Sequence, residues 1–414
     1  YSASFDYNFN ANHKIELKGI YNHRKDWENR YRLRYKDIEY NEDDGIWESE
    51  IRRQTKGGTG DNKNARLEDQ KAMDFSLKGE HHFGAVKVDW KGSYAKASED
   101  RPHERYISFR HKGVEVNPDL SNPRKPYINI LTETAKNLNS EWGLKEFTEE
   151  HQFTHDIDKN FKTNVSFPWL EGDYQNKIKL GFSYKGKEKK RDNTFYEYTP
   201  EDEDVFTQLA LESKVNKTKS NFQAGSKYQA GNFVSREFLG YLDLQSGYGY
   251  KKEEVLEELA GNFNATEDVY AGYFRLDQNF GSNFIMIAGV RLEATGLEYA
   301  GRELKVDEEG EESLVTTPTI TDSYANILPS LIGKYSFSDN TKLKFAWTNT
   351  IARPRYFDLV PHVEINLEDL EAEIGNPELV PTKSMNFDLM FEHYFSSIGQ
   401  ITAGVFYKDI TDLL

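Results

Sequence analysis

The stretch that decides the fold is "TKLKFAWTNTIARPRYFDLVP", residues 341–361. Its first half alternates with a period of two residues, because Leu343, Phe345 and Trp347 are separated by single charged or small residues. This period predicts a β-strand with one apolar face. The chain then passes through an Arg-Pro pair and, after "IGNPELVP" (374–381), alternates again in "SMNFDLMFEHYF" (384–395). Two regular strands are therefore joined by a long connection that contains several prolines.

The same alternation recurs along the whole chain. It is clear in "AVKVDWKGSY" (85–94), "NKIKLGFSYK" (176–185), "FIMIAGVRLEA" (284–294) and "GQITAGVFYK" (399–408). In each case one face is apolar and the other is charged or carries small residues. The many aromatic residues, 25 Tyr and 26 Phe, are also typical of β-structure. The sequence therefore predicts an all-β fold.

The connections between the predicted strands alternate between short and long. Twelve strands form six hairpins, near 1–10 with 13–25, 71–83 with 85–98, 158–169 with 176–187, 269–280 with 283–299, 324–337 with 341–352, and 385–395 with 400–412. Long loops are predicted near 26–70, 99–157, 188–268, 300–323 and 353–384. Loops of this length are uncommon in compact soluble domains, which disfavours a soluble β-sandwich. Short turns on one rim and long loops on the other are typical of a transmembrane antiparallel β-barrel with periplasmic turns and extracellular loops.

The composition agrees with a barrel. The mean hydropathy is −0.79, and the chain contains no stretch of about 18 uncharged residues that would predict a membrane helix. A barrel keeps its average hydropathy low because only alternate residues face lipid. The formal net charge of −16 argues against nucleic acid as a partner. The absence of cysteine excludes disulfides and thiolate chemistry.

Both ends of the chain lie in predicted strands. "YSASFDYNFN" opens the sequence and "GVFYKDITDLL" closes it, and each alternates as a strand does. We therefore expect this chain to be a fragment of a longer protein and of a wider barrel.

The region 326–414 resembles the distal barrel of TonB-dependent outer-membrane receptors. In that family a strand commonly runs into an Arg-Pro loop, then into a Gly-Asn-Pro turn, and then into a strand with an acidic position. "RYISFRHKGVEVNPDLSNPRKPY" (105–127) and "GNFNATEDVYAGYFRLDQNF…IAGVRLEAT" (261–295) also resemble the family. The matching motif positions are Arg353, Pro354, Gly375, Asn376, Pro377, Leu379, Pro381 and Asp388.

This resemblance implies a 22-strand barrel whose N-terminal plug domain and terminal strands are not in this chain, so that residues 1–414 are barrel only. It further implies TonB-dependent import of a scarce or bulky nutrient, such as an iron chelate, cobalamin or an oligosaccharide, across the outer membrane of a Gram-negative bacterium. The implied partners are outer-membrane lipid, the TonB system through the plug, a small-molecule or glycan substrate, and a surface lipoprotein. No cofactor is implied. The motif residues are interpreted as structural, with Arg353 at the rim.

Two other functions are compatible with these features. The first is a non-transporting outer-membrane barrel that acts as a binding or structural component of a surface assembly. The second is a membrane-embedded enzyme, for which His103 or His111 could be invoked. No nucleophile motif accompanies either histidine, so the sequence predicts a non-enzyme without catalytic or metal-binding residues.

Aromatic residues in the predicted loops are the candidates for substrate contact. Flat aromatic rings can stack on a sugar or on an aromatic chelator. Trp47 lies in the first long loop, Trp142 in the second, and Tyr196 and Tyr198 in the third. The sequence predicts that these four side chains face the substrate.

Overall fold

The computed structural model describes residues 1–170, 176–219, 228–309, 311–366, 371–397 and 399–413. Its strands are β1 (Ser2–Asn10), β2 (His13–Glu28), β3 (Arg30–Asn41), β4 (Ile46–Gly58), β5 (Arg66–Phe83), β6 (Val86–Asp119), β7 (Tyr127–Ile130), β8 (Gly143–Pro168), β9 (Lys177–Pro200), β10 (Val215–Asn216), β11 (Asn232–Phe233), β12 (Tyr250–Glu254), β13 (Phe263–Phe280), β14 (Phe284–Ala300), β15 (Arg302–Val306), β16 (Glu312–Thr316), β17 (Ile320–Ser338), β18 (Thr341–Ala352), β19 (Val363–Asn366), β20 (Glu371–Ile374), β21 (Thr382–Phe395) and β22 (Gly399–Thr411). The α-helices are short: α1 (Glu203–Glu212), α2 (Arg236–Tyr241), α3 (Leu256–Leu259) and α4 (Tyr356–Leu359). Among the described residues, no helix is long and apolar enough to cross a membrane.

Twelve of these strands form one continuous antiparallel path. Its order is β1-β2-β5-β6-β8-β9-β13-β14-β17-β18-β21-β22. Consecutive members of the path are neighbours in the chain or are separated by one long connection. The predictions of an all-β fold and of about twelve visible strands are confirmed.

The pairing register sorts the side chains of the path into two faces. Leu180, Phe274 and Val290 are cross-strand partners in β9, β13 and β14, and all three are exposed. Their neighbours Lys179 and Arg275 pair with each other on the opposite face. We call the apolar face the outer face and the opposite one the inner face. Further exposed apolar side chains of the outer face are Leu17, Phe75, Leu77, Phe161, Phe182, Tyr270, Leu292, Ile327, Tyr335, Phe387, Leu389, Phe391, Val405 and Tyr407.

Such a continuous apolar band is far larger than the patches that soluble monomers expose, and it needs an apolar environment. A band of this kind on the outside of an antiparallel sheet with a polar inside is the arrangement of a membrane-spanning barrel wall. The short connections, such as 84–85 and 281–283, lie at one edge of the band, and the long ones at the other edge.

The strands extend further from the short turns than the sequence predicts. β6 continues to Asp119 and β8 begins at Gly143, although residues 99–157 were expected to be loop. The first long connection likewise contains the β3–β4 hairpin. The apolar alternation ends where the strands leave the lipid, but backbone pairing continues because both faces can be polar in water. Loop boundaries read from the alternation are therefore too early.

Above the apolar band, the sheet changes its neighbours. β6 pairs with β5 as far as Asp100, and from Glu104 onwards it pairs with β4. The change coincides with a register shift opposite β8 and with a left-handed backbone at His103 (φ 54°). We call β3, β4, β12 and the adjoining parts of β6, β8 and β9 the upper wall.

The outer face of the upper wall is covered by a folded cap, which consists of residues 127–142, 203–212 and 232–244. Trp142, Phe206 and Leu239 of the cap are buried against Phe147 and the rest of a single hydrophobic cluster. Arg53 of β4 binds the cap, because its guanidinium donates to the backbone oxygens of Lys136 (2.9 Å) and Asn232 (3.2 Å). The long connections in this part of the chain are thus packed structure with a core of their own.

Candidate functional site

After β18 the chain turns onto the inner face of the sheet, and Arg353 holds it there. The Arg353 Nη2 donates to Glu293 Oε2 (2.8 Å) and to Thr295 Oγ1 (3.1 Å), both on β14. Its Nε lies 3.5 Å from Glu267 Oε2 on β13. Both carboxylates are almost fully buried, with side chains 11% and 7% exposed. Arg353 is therefore a cross-link between the loop and two inner-face carboxylates, which is more than the rim position that the sequence predicted.

The helical turn α4 follows Arg353 and packs on the same face. Leu359 and Val360 are buried with Leu297 and Tyr299 of β14 in a second hydrophobic cluster. The Tyr356 hydroxyl donates to Glu267 Oε1 (3.4 Å), and burial, together with this carboxylate, raises the pKa of Tyr356 above its ordinary range. The loop is thus anchored by apolar contacts as well as by charge.

The Gly-Asn-Pro turn brings the end of the connection against its beginning. A Cβ on Gly375 would lie 1.8 Å from the backbone oxygen of Val360, so only glycine fits this approach. The backbone nitrogen of Asn376 donates to the oxygen of Asp358 (2.7 Å). Tyr299 reaches over from β14 and donates its hydroxyl to the oxygen of Pro377 (3.3 Å). These contacts give a physical reason for a Gly-Asn-Pro sequence at this point.

The other motif positions belong to the same arrangement. Pro354 and Pro381 are buried, and Leu379 packs against the second hydrophobic cluster. Asp388 lies opposite Ala346 on the inner face and is exposed. The eight motif residues therefore mark one connection, its exit from β18 and its return into β21.

The four predicted aromatic contacts do not form a site on the inner face. Trp142 and Tyr198 are buried in the core beneath the cap, with exposures of 1% and 2%, so the prediction that they contact substrate is corrected. Trp47 is exposed and packs against Tyr40, and Tyr196 carries the Lys252 ammonium over its ring at 3.7 Å. Both lie on the side of the sheet that the cap covers.

The inner face of the upper wall carries a buried polar cluster that the sequence did not predict. The Tyr106 hydroxyl donates to Glu104 Oε2 (2.5 Å) and also contacts Glu150. Arg66 Nε lies 3.1 Å from Glu104 Oε2, and the Lys56 ammonium sits 3.7 Å above the Tyr106 ring. Burial and the nearby Glu104 raise the pKa of Glu150, although hydrogen bonds from Tyr106 and Gln152 oppose this shift.

The sequence contained a partial signal for the inner-face carboxylates that bind Arg353. Glu293 and Glu267 stand at strand positions whose alternation places them opposite the apolar residues, and charged residues there are candidates for inner-face contacts. The signal identifies the face, but not the partner on a distant loop. Within the described ranges, no three His, Asp or Glu side chains are grouped as metal ligands would be.

A polar inner face, an apolar outer band, and turns and loops segregated to opposite edges define an outer-membrane β-barrel protein. Residues 151–413 match the Outer membrane protein beta-barrel family, and the chain belongs to that family. The predicted fold class and the predicted location in the outer membrane are confirmed. No curated protein sequence matches the chain.

Three solved structures illustrate its structural similarity. The ferric-catecholate import receptor Fiu of E. coli K12 has 10% identity and a TM-score of 0.40, over 98% of this chain and 55% of that one. The siderophore receptor PiuA of Acinetobacter baumannii has 10% identity and a TM-score of 0.40, over 98% and 54%. The copper transporter OprC has 11% identity and a TM-score of 0.38, over 99% and 54%. The chain thus spans about half the length of these proteins.

Proposed function

We propose that this chain is the wall of a TonB-dependent importer that carries a scarce or bulky nutrient across the outer membrane. The observation that carries the proposal is that residues 353–360 and 375–379, which hold the Arg-Pro and Gly-Asn-Pro motifs, pack against the inner face. Their position on the inner face puts them beside the path that a solute would take. The candidate substrates are an iron chelate, cobalamin or an oligosaccharide.

The residues of the inner face support a binding role without covalent chemistry. Arg353 pairs with both Glu267 and Glu293, and Arg291 also pairs with Glu293, so that two cations balance two carboxylates in a structural cross-link. Glu104 and Glu150 are also hydrogen-bonded to a tyrosine. We infer that the protein is not an enzyme, that the aqueous inner face receives the solute, and that a plug coupled to TonB supplies the energy.

The test is growth on a defined nutrient in three strains: wild type, a deletion of this gene, and a deletion of tonB. Each strain is supplied with ferric citrate as the iron source, with cyanocobalamin as the cobalamin source, or with maltoheptaose as the carbon source. We expect one nutrient to support growth in the wild type and to fail in both deletions. Equal growth of all three strains on every nutrient would contradict import.

The cap favours one alternative, a barrel that serves as a component of a surface assembly. It covers the outer face, away from the aqueous inner side, and it exposes Tyr241 (74%), while Tyr248, four residues after the cap, is 87% exposed. A surface lipoprotein is the predicted partner in that case. This alternative predicts normal growth of the deletion strain and co-purification of the lipoprotein, which Tyr241→Ser with Tyr248→Ser would abolish.

A further inference from the structure

A row of arginines on β3 faces the inner side of the upper wall. Arg30, Arg32 and Arg34 stand at alternate positions and lie opposite Lys56, Gln54 and Arg52 of β4. Lys56 in turn lies opposite Tyr106, which belongs to the inner-face cluster. Alternate residues of a strand share one face and are about 7 Å apart. The row therefore presents positive charges at regular spacing towards the inside.

Part of this positive charge forms no ion pair with a described residue. Arg30 pairs with Glu28 (3.5 Å), and Arg52 pairs with Glu50. By contrast, Arg32 and Arg34 form no ion pair or hydrogen bond within the part of the chain that the structure describes, although both are half-buried.

The carboxylate that acts electrostatically on Arg32 is Glu146, which is already engaged by a hydrogen bond from Gln54 Nε2 (3.1 Å). Lys56 contacts the Tyr106 ring and is in ion-pair contact with no described carboxylate. This local excess of positive charge occurs in a chain whose net charge is −16.

The surroundings make the unpaired charges unfavourable in the absence of an anion. Burial, followed by the neighbouring Arg34 and Arg30, lowers the pKa of Arg32. Burial also lowers the pKa of Lys56, and the neighbouring Arg32 adds to this effect, although the carboxylate of Glu150 opposes it. Like charges that are held together and partly desolvated gain free energy when an anion binds between them.

The orientation of the row decides which kind of anion can reach it. Tyr31, Leu33 and Tyr35 alternate with the arginines and point to the outer side, where Leu33 and Tyr35 pack beneath the cap. The arginines therefore face away from the lipid side of the wall. A lipid head group cannot approach them from the membrane, whereas a solute on the inner side can.

We propose that Arg32, Arg34 and Lys56 form a binding site for a multiply anionic solute that carries several carboxylate or phosphate groups. Guanidinium groups bind such oxyanions through paired, charge-assisted hydrogen bonds, and two of them about 7 Å apart can engage two anionic groups of one molecule. The inference rests on the proposed function, because it names the chemical class of the imported substrate.

The test uses the protein purified from outer membranes in detergent, with inorganic tripolyphosphate as the probe and maltoheptaose as a neutral comparison. Binding is measured by isothermal titration calorimetry at low and at high salt. We expect tripolyphosphate to bind, maltoheptaose not to bind, and the affinity for tripolyphosphate to fall as salt rises. The variant Arg32→Gln with Arg34→Gln should weaken binding about 100-fold, since each lost charge-assisted contact is worth roughly tenfold.

The matched control is Arg24→Gln, which changes another inner-face arginine that is exposed and paired with Asp26. It should bind tripolyphosphate as the wild type does, and circular dichroism should show that all variants are folded. Lack of binding by the folded wild type would overturn the proposal, as would equal weakening in the control.

The binding test of the anion site and the growth test of import can fail independently. If TonB-dependent growth continues unchanged in the variant Arg32→Gln with Arg34→Gln, import stands and the anion site is wrong. If tripolyphosphate binding requires both arginines but no nutrient depends on the gene, the anion site stands and import is wrong.

Discussion

Replacing Arg353 by alanine should release residues 353–360 of the connection from the inner face. The guanidinium is the group that joins this connection to Glu267 and Glu293, at 3.5 Å and 2.8 Å. After the change, Glu293 keeps a second partner, because Arg291 Nε donates to its Oε1 (2.6 Å). Among the described residues, the side-chain hydrogen bond that Glu267 keeps is the long one from Tyr356 (3.4 Å). The cost of the substitution should therefore arise mainly from Glu267.

The magnitude follows from the burial of the group. Removal of one partner of a fully buried ion pair costs about 3–5 kcal/mol, and a hydrogen bond to a charged group is worth roughly 1.5–3 kcal/mol. The Arg353 side chain is 25% exposed, so water screens part of the interaction. We expect a loss of about 2–3 kcal/mol in the free energy that holds the connection in place. At 1.4 kcal/mol per factor of ten, this is a roughly 30- to 150-fold increase in opening.

Hydrogen exchange measured by mass spectrometry reports this opening directly. The backbone nitrogens of Val360 and Asn376 donate within the connection, to Tyr356 (2.9 Å) and Asp358 (2.7 Å). Their exchange should accelerate by the factor above. Exchange in the middle of the spanning strands should not change, because those amides are paired in the main sheet.

Arg355 supplies the matched control. It is two residues away and carries the same charge, but its side chain is 81% exposed and its ion pair is with Asp358 of its own turn. Arg355→Ala should leave exchange in the connection nearly unchanged. In the double variant Arg353→Ala with Glu267→Gln, much of the protection should return, since no uncompensated carboxylate remains. Equal exchange in the two single alanine variants, or no recovery in the double variant, would refute the reasoning.

Three further substitutions test other parts of the structure. Gly375→Ala should destabilise the connection by about 1–3 kcal/mol, measured by hydrogen exchange, because the new Cβ would meet the oxygen of Val360. Gly296→Ala is the control and should leave hydrogen exchange unchanged, because there is open space around Gly296. Trp142→Ala should remove about 3–5 kcal/mol from the stability of the cap, seen as rapid exchange of its amides while the spanning strands stay protected. Because the pKa of Glu150 is raised in the folded state, the folded protein binds this proton more tightly than the unfolded chain does. Proton binding at Glu150 therefore stabilises the fold below the ordinary carboxyl pKa of 4.5, and this stabilisation is lost as pH rises through the folded pKa. Glu150→Gln should therefore make the upper wall less sensitive to pH above about 4.5 in thermal unfolding, and an unchanged pH profile would contradict this.

The strand path could be predicted from local pattern because lipid imposes it residue by residue. Every second side chain of a spanning strand must be apolar, and every backbone group must be paired. The predicted ends of the hairpins near the short turns agree with the structure within a few residues. The same constraint disappears outside the lipid, which is why β6 and β8 continue well beyond the predicted ends.

Parity along a strand could have corrected the choice of aromatic residues. β9 pairs with β8 without a register shift from Lys177 to Glu197, so Tyr196 and Tyr198 share the face of the apolar Leu180 and Phe182. If the two-residue alternation is continued from Leu180 along β9, it assigns both tyrosines to the outer face. Trp142 offered no such signal, since its burial depends on a cap assembled from segments about 100 residues apart.

By itself, the sequence determined the all-β class, the strands, the segregation of turns from loops, and the motif that marks the connection 353–381. Only the tertiary structure decided that the chain turns inward after β18 and that Arg353 meets Glu267 and Glu293. It also decided that Arg32 and Arg34 face the inner side and form no ion pair with a described carboxylate. The physical reason is the distance along the chain over which each feature acts. Alternation records the solvent on each side of a single strand, whereas ion pairs and packed caps join residues that are distant in the chain, and their partners depend on register shifts and close approaches that no local pattern contains.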